Sequence, residues 1–147
     1  MTRDVLISVC GTQFFTEDHD TVEIITGGTY HEKGGKHYLR YDEAIEGTEE
    51  LIHNTVKLAP GKMEILKKGL VESRMVFECG RKLKANYLTP MGLIMLGITT
   101  TALDMEEEEH RLRVHVEYAL EMNGAHVANC RTDISASSRE ESRLNLN

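Results

Sequence analysis

An antiparallel β-barrel of about ten strands is the fold this sequence predicts. Three observations carry the prediction: a hydrophobic period of two, turn chemistry recurring about every 8–12 residues, and no run of helical periodicity inside the body of the chain. The clearest stretch is 111–118, Arg-Leu-Arg-Val-His-Val-Glu-Tyr. Leu112, Val114, Val116 and Tyr118 share one face, and Arg111, Arg113, His115 and Glu117 share the other. Only an extended strand separates those sets, because successive side chains point to opposite faces. A helix would mix charge and core on every side.

Taken in chain order, residues 5–11 alternate as a first strand. Residues 21–26 form a second, which Gly27-Gly28 breaks with a bend or bulge. Lys33-Gly34-Gly35 turns into 37–43, where Leu39 and Tyr41 lie on one face against Tyr38, Arg40 and Asp42. A loop through 45–47 leads to 52–58, and Pro60-Gly61 turns that strand into 63–67. Beyond Gly69 come 74–79, the turn Gly80-Arg81, and 83–88. Pro90 and Gly92 then interrupt the pattern before 93–103, a strand apolar on both faces. Residues 106–109 read as a solvated acidic loop, with a metal or a basic partner as the sharper alternative. After 111–118, Asn123-Gly124 supplies the two positive-φ positions of a type I′ turn, so 126–134 pairs back on its predecessor. The barrel is expected over 1–136. Residues 137–147 form a polar tail or a short helix, since Ser137 with Glu140, or Ser138 with Glu141, has capping-box spacing.

A meander of this size must dispose of its edges, and closure is the common solution. The interior of such a barrel either fills with side chains or holds one small ligand. At 147 residues one domain suffices, with a core large enough to need no staples. The net charge of −7, with 17 basic residues scattered among 24 acidic ones, argues against a nucleic-acid partner. The N-terminus enters alternation at once and carries no apolar leader. The nearly uncharged stretch 87–103 falls short of the ~20 strongly apolar residues that span a bilayer, so no membrane role is expected. Cys10, Cys79 and Cys130 are odd in number and widely spaced, which reads as buried small hydrophobes in a reducing compartment. The expected location is the cytoplasm.

Several segments have a familiar look. The run 28–43, Gly-Thr-Tyr-His-Glu-Lys-Gly-Gly-Lys-His-Tyr-Leu-Arg-Tyr-Asp-Glu, the run Asn54-Thr55-Val56-Lys57-Leu58, and Tyr87-Leu88-Thr89-Pro90-Met91-Gly92 with Thr99 beyond it resemble the YwiB-like family of small bacterial proteins. The resemblance covers nearly the whole chain and implies a calycin-like, lipocalin-like barrel of unknown function. It imports no activity. Where the family carries Arg two residues before Gly69, this chain has Lys67, which keeps the charge without the planar fork. The Gly-x-Trp signature of true lipocalins is absent: the chain reads Gly11-Thr12-Gln13 and has no tryptophan.

No nucleophile elbow, phosphate loop or HExxH motif is present, so neither catalytic residues nor cofactors nor metal ligands are assigned. The suggestive polar residues are spread over neighbouring strands: Tyr38, Arg40, Tyr41, Glu43, Lys57, Lys67, Tyr87 and Thr89. Parity places Tyr41 with Leu39, inside, and turns Arg40 and Lys57 outward. Tyr41, Glu43, Lys67, Met75, Phe77, Tyr87 and Thr89 are therefore the expected ligand-binding set, for a small, partly apolar or anionic molecule. Thr89 has a competing role in turn chemistry. Two other readings stand beside this non-enzymatic module. One is an interaction subunit, a homodimer resting on the two-faced strand 93–103 with Met91, Met95 and Met105; the other is a small-molecule hydrolase using Glu43 with Tyr41 or Lys57.

Overall fold

The computed structural model describes residues 1–139. Ten strands occupy them: β1 (Asp4–Phe14), β2 (His19–Lys33), β3 (Lys36–Ala44), β4 (Leu51–Ala59), β5 (Lys62–Gly69), β6 (Glu72–Glu78), β7 (Lys82–Thr89), β8 (Gly92–Glu107), β9 (Arg111–Met122) and β10 (Ala125–Ser138). Each pairs antiparallel with its sequence neighbour, and β1 closes on β10 to complete the ring. Tight turns set this order. Asn123 and Gly124 take φ of 49° and 86°, the backbone a type I′ hairpin needs between β9 and β10. Bulges at Thr100/Ala102 and His126/Ala128 relieve the long strands β8 and β10. The weakest seam joins β6 and β7, which share only the pairs Glu72–Leu88 and Ser73–Tyr87.

Alternation decides what the barrel encloses. On β9, Leu112, Val114 and Val116 are buried while Arg111, Arg113 and Glu117 are exposed. Following the registers around the ring puts Val5, Ile7, Leu39, Val56, Met63, Phe77, Ile98, Val116, Ile134 and Ala136 into one contiguous core. Val5, Ile7, Val56, Met63, Val116 and Ala136 have 0% of their surface accessible. A ligand-sized hollow would leave accessible surface on its lining, so the waist of this barrel is packed by side chains. The interior is largely apolar as the sequence indicated, and it is filled.

Three local expectations are corrected. β2 runs unbroken through Gly27-Gly28. The glycine at 28 serves close approach instead: a Cβ there would overlap the Arg40 carbonyl oxygen and Ile7 Cδ1. The acidic run 106–109 is not wholly a loop, because β8 continues to Glu107 against β9. Of the three free cysteines only Cys130 is buried; Cys10 is half-buried, and Cys79, beside the turn that ends β6, is exposed. Strand β10 extends through Ser137 and Ser138. The tail helix otherwise lies outside the described residues.

Candidate functional site

β3 runs the height of the barrel. From His37 near its start to Glu43 near its end is about 20 Å at roughly 3.3 Å per residue, so the strand contributes to both mouths. At the Glu43 end a continuous polar row crosses the inner face. Tyr41 stands opposite Asn54, Asn54 opposite Lys67, Lys67 opposite Ser73, and Ser73 opposite Tyr87. Because opposed residues share a face, five strands deliver these side chains to one place.

Asn54 is the pivot, 1% exposed. Its Oδ1 accepts from Lys67 Nζ at 2.7 Å, and its Nδ2 donates to Glu43 Oε1 at 3.3 Å. Lys67 Nζ lies 3.6 Å from the same carboxylate, with 16% of the Lys67 side chain and 25% of the Glu43 side chain exposed. The pair is therefore sheltered but reachable. Burial, reinforced by the Glu43 charge, pushes the Tyr41 phenol up to about 12. The same two causes raise Tyr87. Both phenols stay protonated at neutral pH and act as neutral donors or acceptors.

The next inner row is apolar. Val56 stands opposite Ile65 and Ile65 opposite Met75, while Ile94, across from Tyr87, ends the polar row with an apolar side chain. Among the sequence-expected residues, Tyr41, Glu43, Lys67 and Tyr87 converge at this mouth with Met75 beside them. Phe77 is deeper, 2% exposed, with its ring edge-on to Tyr118 at 5.0 Å. Thr89 closes the β7–β8 hairpin: its hydroxyl accepts from the Met91 amide at 3.1 Å and donates to the Gly92 carbonyl at 3.0 Å. Asn54 and Ser73 complete the row.

Arg40, Lys57 and Tyr38 lie on the outer face, as parity indicated. The Tyr38 ring stacks on His31 at 4.7 Å, and Arg40 Cζ and Lys57 Nζ each sit 5.8 Å from its centre. The outer face also carries His115, whose Nδ1 lies 2.6 Å from Asp133 Oδ1 and whose Nε2 lies 3.4 Å from Glu117 Oε2. The bond to Asp133 is the main reason its pKa is raised. At the opposite mouth, Glu32, His37 and Glu107 bring ligand atoms within 4.8 Å of one another.

A family described as a domain of unknown function, DUF1934, matches residues 7–134, from β1 to β10. The chain belongs to the DUF1934 family. A relative is the uncharacterized β-barrel protein YwiB of Bacillus subtilis (strain 168), 26% identical over 101 residues, which cover 69% of this chain and 70% of that protein. The crystal structure of YwiB from Bacillus subtilis superimposes with a TM-score of 0.81 at 21% identity, covering 92% of each chain. That likeness establishes the fold of this DUF1934 barrel. Its chemistry has to come from the residues at its mouths.

One of those residues had a visible signal. Ile52, Asn54, Val56 and Leu58 share the inner face of β4, and Asn54 is the one amide among buried aliphatics. A polar residue in a core-facing position marks a network or a site. The grouping of Glu32, His37 and Glu107 in this DUF1934 barrel had no such signal, because it depends on closure across the ring.

Proposed function

We propose that this DUF1934 barrel is a non-enzymatic binding module that takes a small ligand at the Glu43 mouth. The observation that carries the reading is the sheltered Glu43–Asn54–Lys67 network bordered by an apolar row. Lys67 has three donors and spends one on Asn54. Glu43 balances its charge, so the site suits a head group that both accepts and donates hydrogen bonds more than a simple anion. Met75, Ile65 and Ile94 offer apolar surface to the rest of the molecule. The packed waist limits the ligand to the mouth and rules out the deep calyx of a barrel that swallows a long tail. Ligand sites commonly combine such a lining with a few fixed polar groups.

Native mass spectrometry of freshly purified protein tests this. A co-purifying small molecule is expected on the wild type and absent from folded Lys67→Met. A wild type with no bound mass, whose amide NMR spectrum also ignores a set of small amide- and hydroxyl-bearing amphiphiles, would rule the reading out.

The interaction-subunit reading keeps one observation in its favour. Leu88, Met91, Leu93 and Met95 gather at the β7–β8 hairpin with 45, 96, 53 and 42% of their surface exposed. Leu88 stands opposite Leu93, so the patch is continuous. A homodimer formed there is lost in Leu93→Asp. Light scattering reads the outcome, and a wild type that stays monomeric at high concentration removes this alternative.

A further inference from the structure

The mouth at the far end of β3 holds groups that ligand binding at Glu43 leaves unused. Glu32 is the last residue but one of β2, His37 the second of β3, and Glu107 the last of β8. In the ring, β8 lies across the barrel from β3. Glu107 therefore approaches from the opposing wall, and the three ligand atoms meet within 4.8 Å. Glu32 and Glu107 line an open cleft of about 600 Å³ together with Arg3, Tyr30, Glu108 and Glu109.

His37 is the unusual member. It is 4% exposed, and its Nδ1 lies 2.6 Å from the Tyr30 hydroxyl, a contact that fixes the ring plane. Its Nε2 makes no hydrogen bond among the described residues and faces Glu107 Oε2 at 3.6 Å, beyond hydrogen-bond range. The Nε2 of a largely buried imidazole thus meets two carboxylates. Carboxylates this close repel one another. A divalent cation relieves that repulsion and takes the Nε2 lone pair as a ligand.

We propose that Glu32, His37 and Glu107 form a divalent transition-metal site at this mouth, with Tyr30 as the positioning residue that holds His37. If the phenol oxygen accepts the Nδ1 proton, the Nε2 lone pair points at the ion, the usual arrangement behind a metal-bound histidine. One imidazole with two carboxylates and open positions for water selects Zn²⁺ or a similar ion over Mg²⁺, which prefers an all-oxygen octahedral shell. Bound there, the ion clips β2 and β3 to the opposing strand β8 and stabilises the folded state by mass action.

Calorimetry on chelator-treated, dialysed protein titrated with Zn²⁺ tests the proposal. One ion per chain is expected, with a rise in melting temperature and little effect of millimolar Mg²⁺. Tyr30→Phe keeps the ligands and is expected to bind about 10–100-fold more weakly, the usual consequence of losing an outer partner. Glu107→Gln, at a side chain that is 55% exposed, is expected to weaken binding at least as much. Imidazole ¹⁵N spectra must show the His37 Nε2 signal moving and those of His53 and His115 unchanged. Failure of the wild type to bind, binding that survives Glu107→Gln intact, or Zn²⁺ held at the surface histidines alone would each overturn the proposal. None of these outcomes bears on the Glu43 mouth.

Discussion

Replacing Lys67 by Met removes the ammonium and keeps most of the aliphatic stem, so the perturbation falls on the network at the Glu43 mouth. Asn54 Oδ1 loses the 2.7 Å donor it has in the wild type, and Asn54 is too buried for water to replace it easily. A buried acceptor left without a partner costs about 1–3 kcal/mol. Glu43 also loses a cation 3.6 Å away, but a quarter of its side chain faces solvent. That part is screened and is worth about 0.5–1 kcal/mol. Together they give about 2 kcal/mol, which for a chain of this length lowers the melting temperature by about 4–8 °C.

Adding Glu43→Gln to Lys67→Met removes the unbalanced charge but leaves the Asn54 acceptor unpartnered. The double variant is expected to regain about 0.5–1 kcal/mol, a coupling that a double-mutant cycle isolates. Thermal denaturation followed by circular dichroism at pH 7 provides all four corners. A Lys67→Met protein that melts within about 1 °C of the wild type would show that Asn54 does not depend on the ammonium, and the network argument would fail.

Three further perturbations probe other parts of the barrel. Thr100 is 1% exposed, and among the described residues its hydroxyl has no hydrogen-bond partner; the isosteric Thr100→Val is expected to stabilise by about 1 kcal/mol, visible in urea melts, and a loss of stability would reveal a hidden partner. Gly28→Ala places a methyl group against the Arg40 carbonyl oxygen and Ile7 Cδ1, for an expected cost of about 1–3 kcal/mol in the same melts, with an unchanged midpoint counting against the close approach of β1, β2 and β3. His115 has a raised folded-state pKa, so its contribution to stability is complete below its unfolded value near 6.5 and is lost as pH rises through the raised folded value. Asp133→Asn is expected to return the His115 titration, followed by imidazole NMR, toward the ordinary range, and an unmoved curve would assign the shift to Glu117.

What could be read from the sequence was what strand parity and turn chemistry encode. The alternation at 111–118 became β9, and Asn123-Gly124 became its hairpin. Parity also put Arg40 and Lys57 outside and Tyr41 inside without any coordinates. It said nothing about register, and register makes the site: Tyr41, Asn54, Lys67, Ser73 and Tyr87 form a row only because five strands align at those positions. Gly28 misled because a glycine inside a strand serves either a bulge or a close approach, and only the neighbouring β1 and β3 decide which. Cys79 misled because the preference of cysteine for burial is a tendency that a turn position overrides. Glu107 lay beyond any local rule, since its neighbours Glu32 and His37 face it across the closed ring.

The packed waist turns one barrel into two separate surfaces. Between Glu43 and His37 the inner positions are Leu39, Val56, Met63, Phe77 and their neighbours, all buried in one apolar cluster. No ionisable side chain belongs to that cluster apart from Tyr30, Tyr41 and Cys130, none of which carries charge at neutral pH. Charges at the two mouths are thus insulated by distance and filled by different logic. Glu43 and Lys67 cancel within one network, whereas Glu32 and Glu107 meet at one imidazole beside a cleft that Glu108 and Glu109 line together with Arg3. A neutral, hydrogen-bonding recess suits a polar organic group, and an acidic one with an imidazole suits a cation. The same strand, β3, frames both, which is why a 9-residue segment carries so much of the chemistry of this fold.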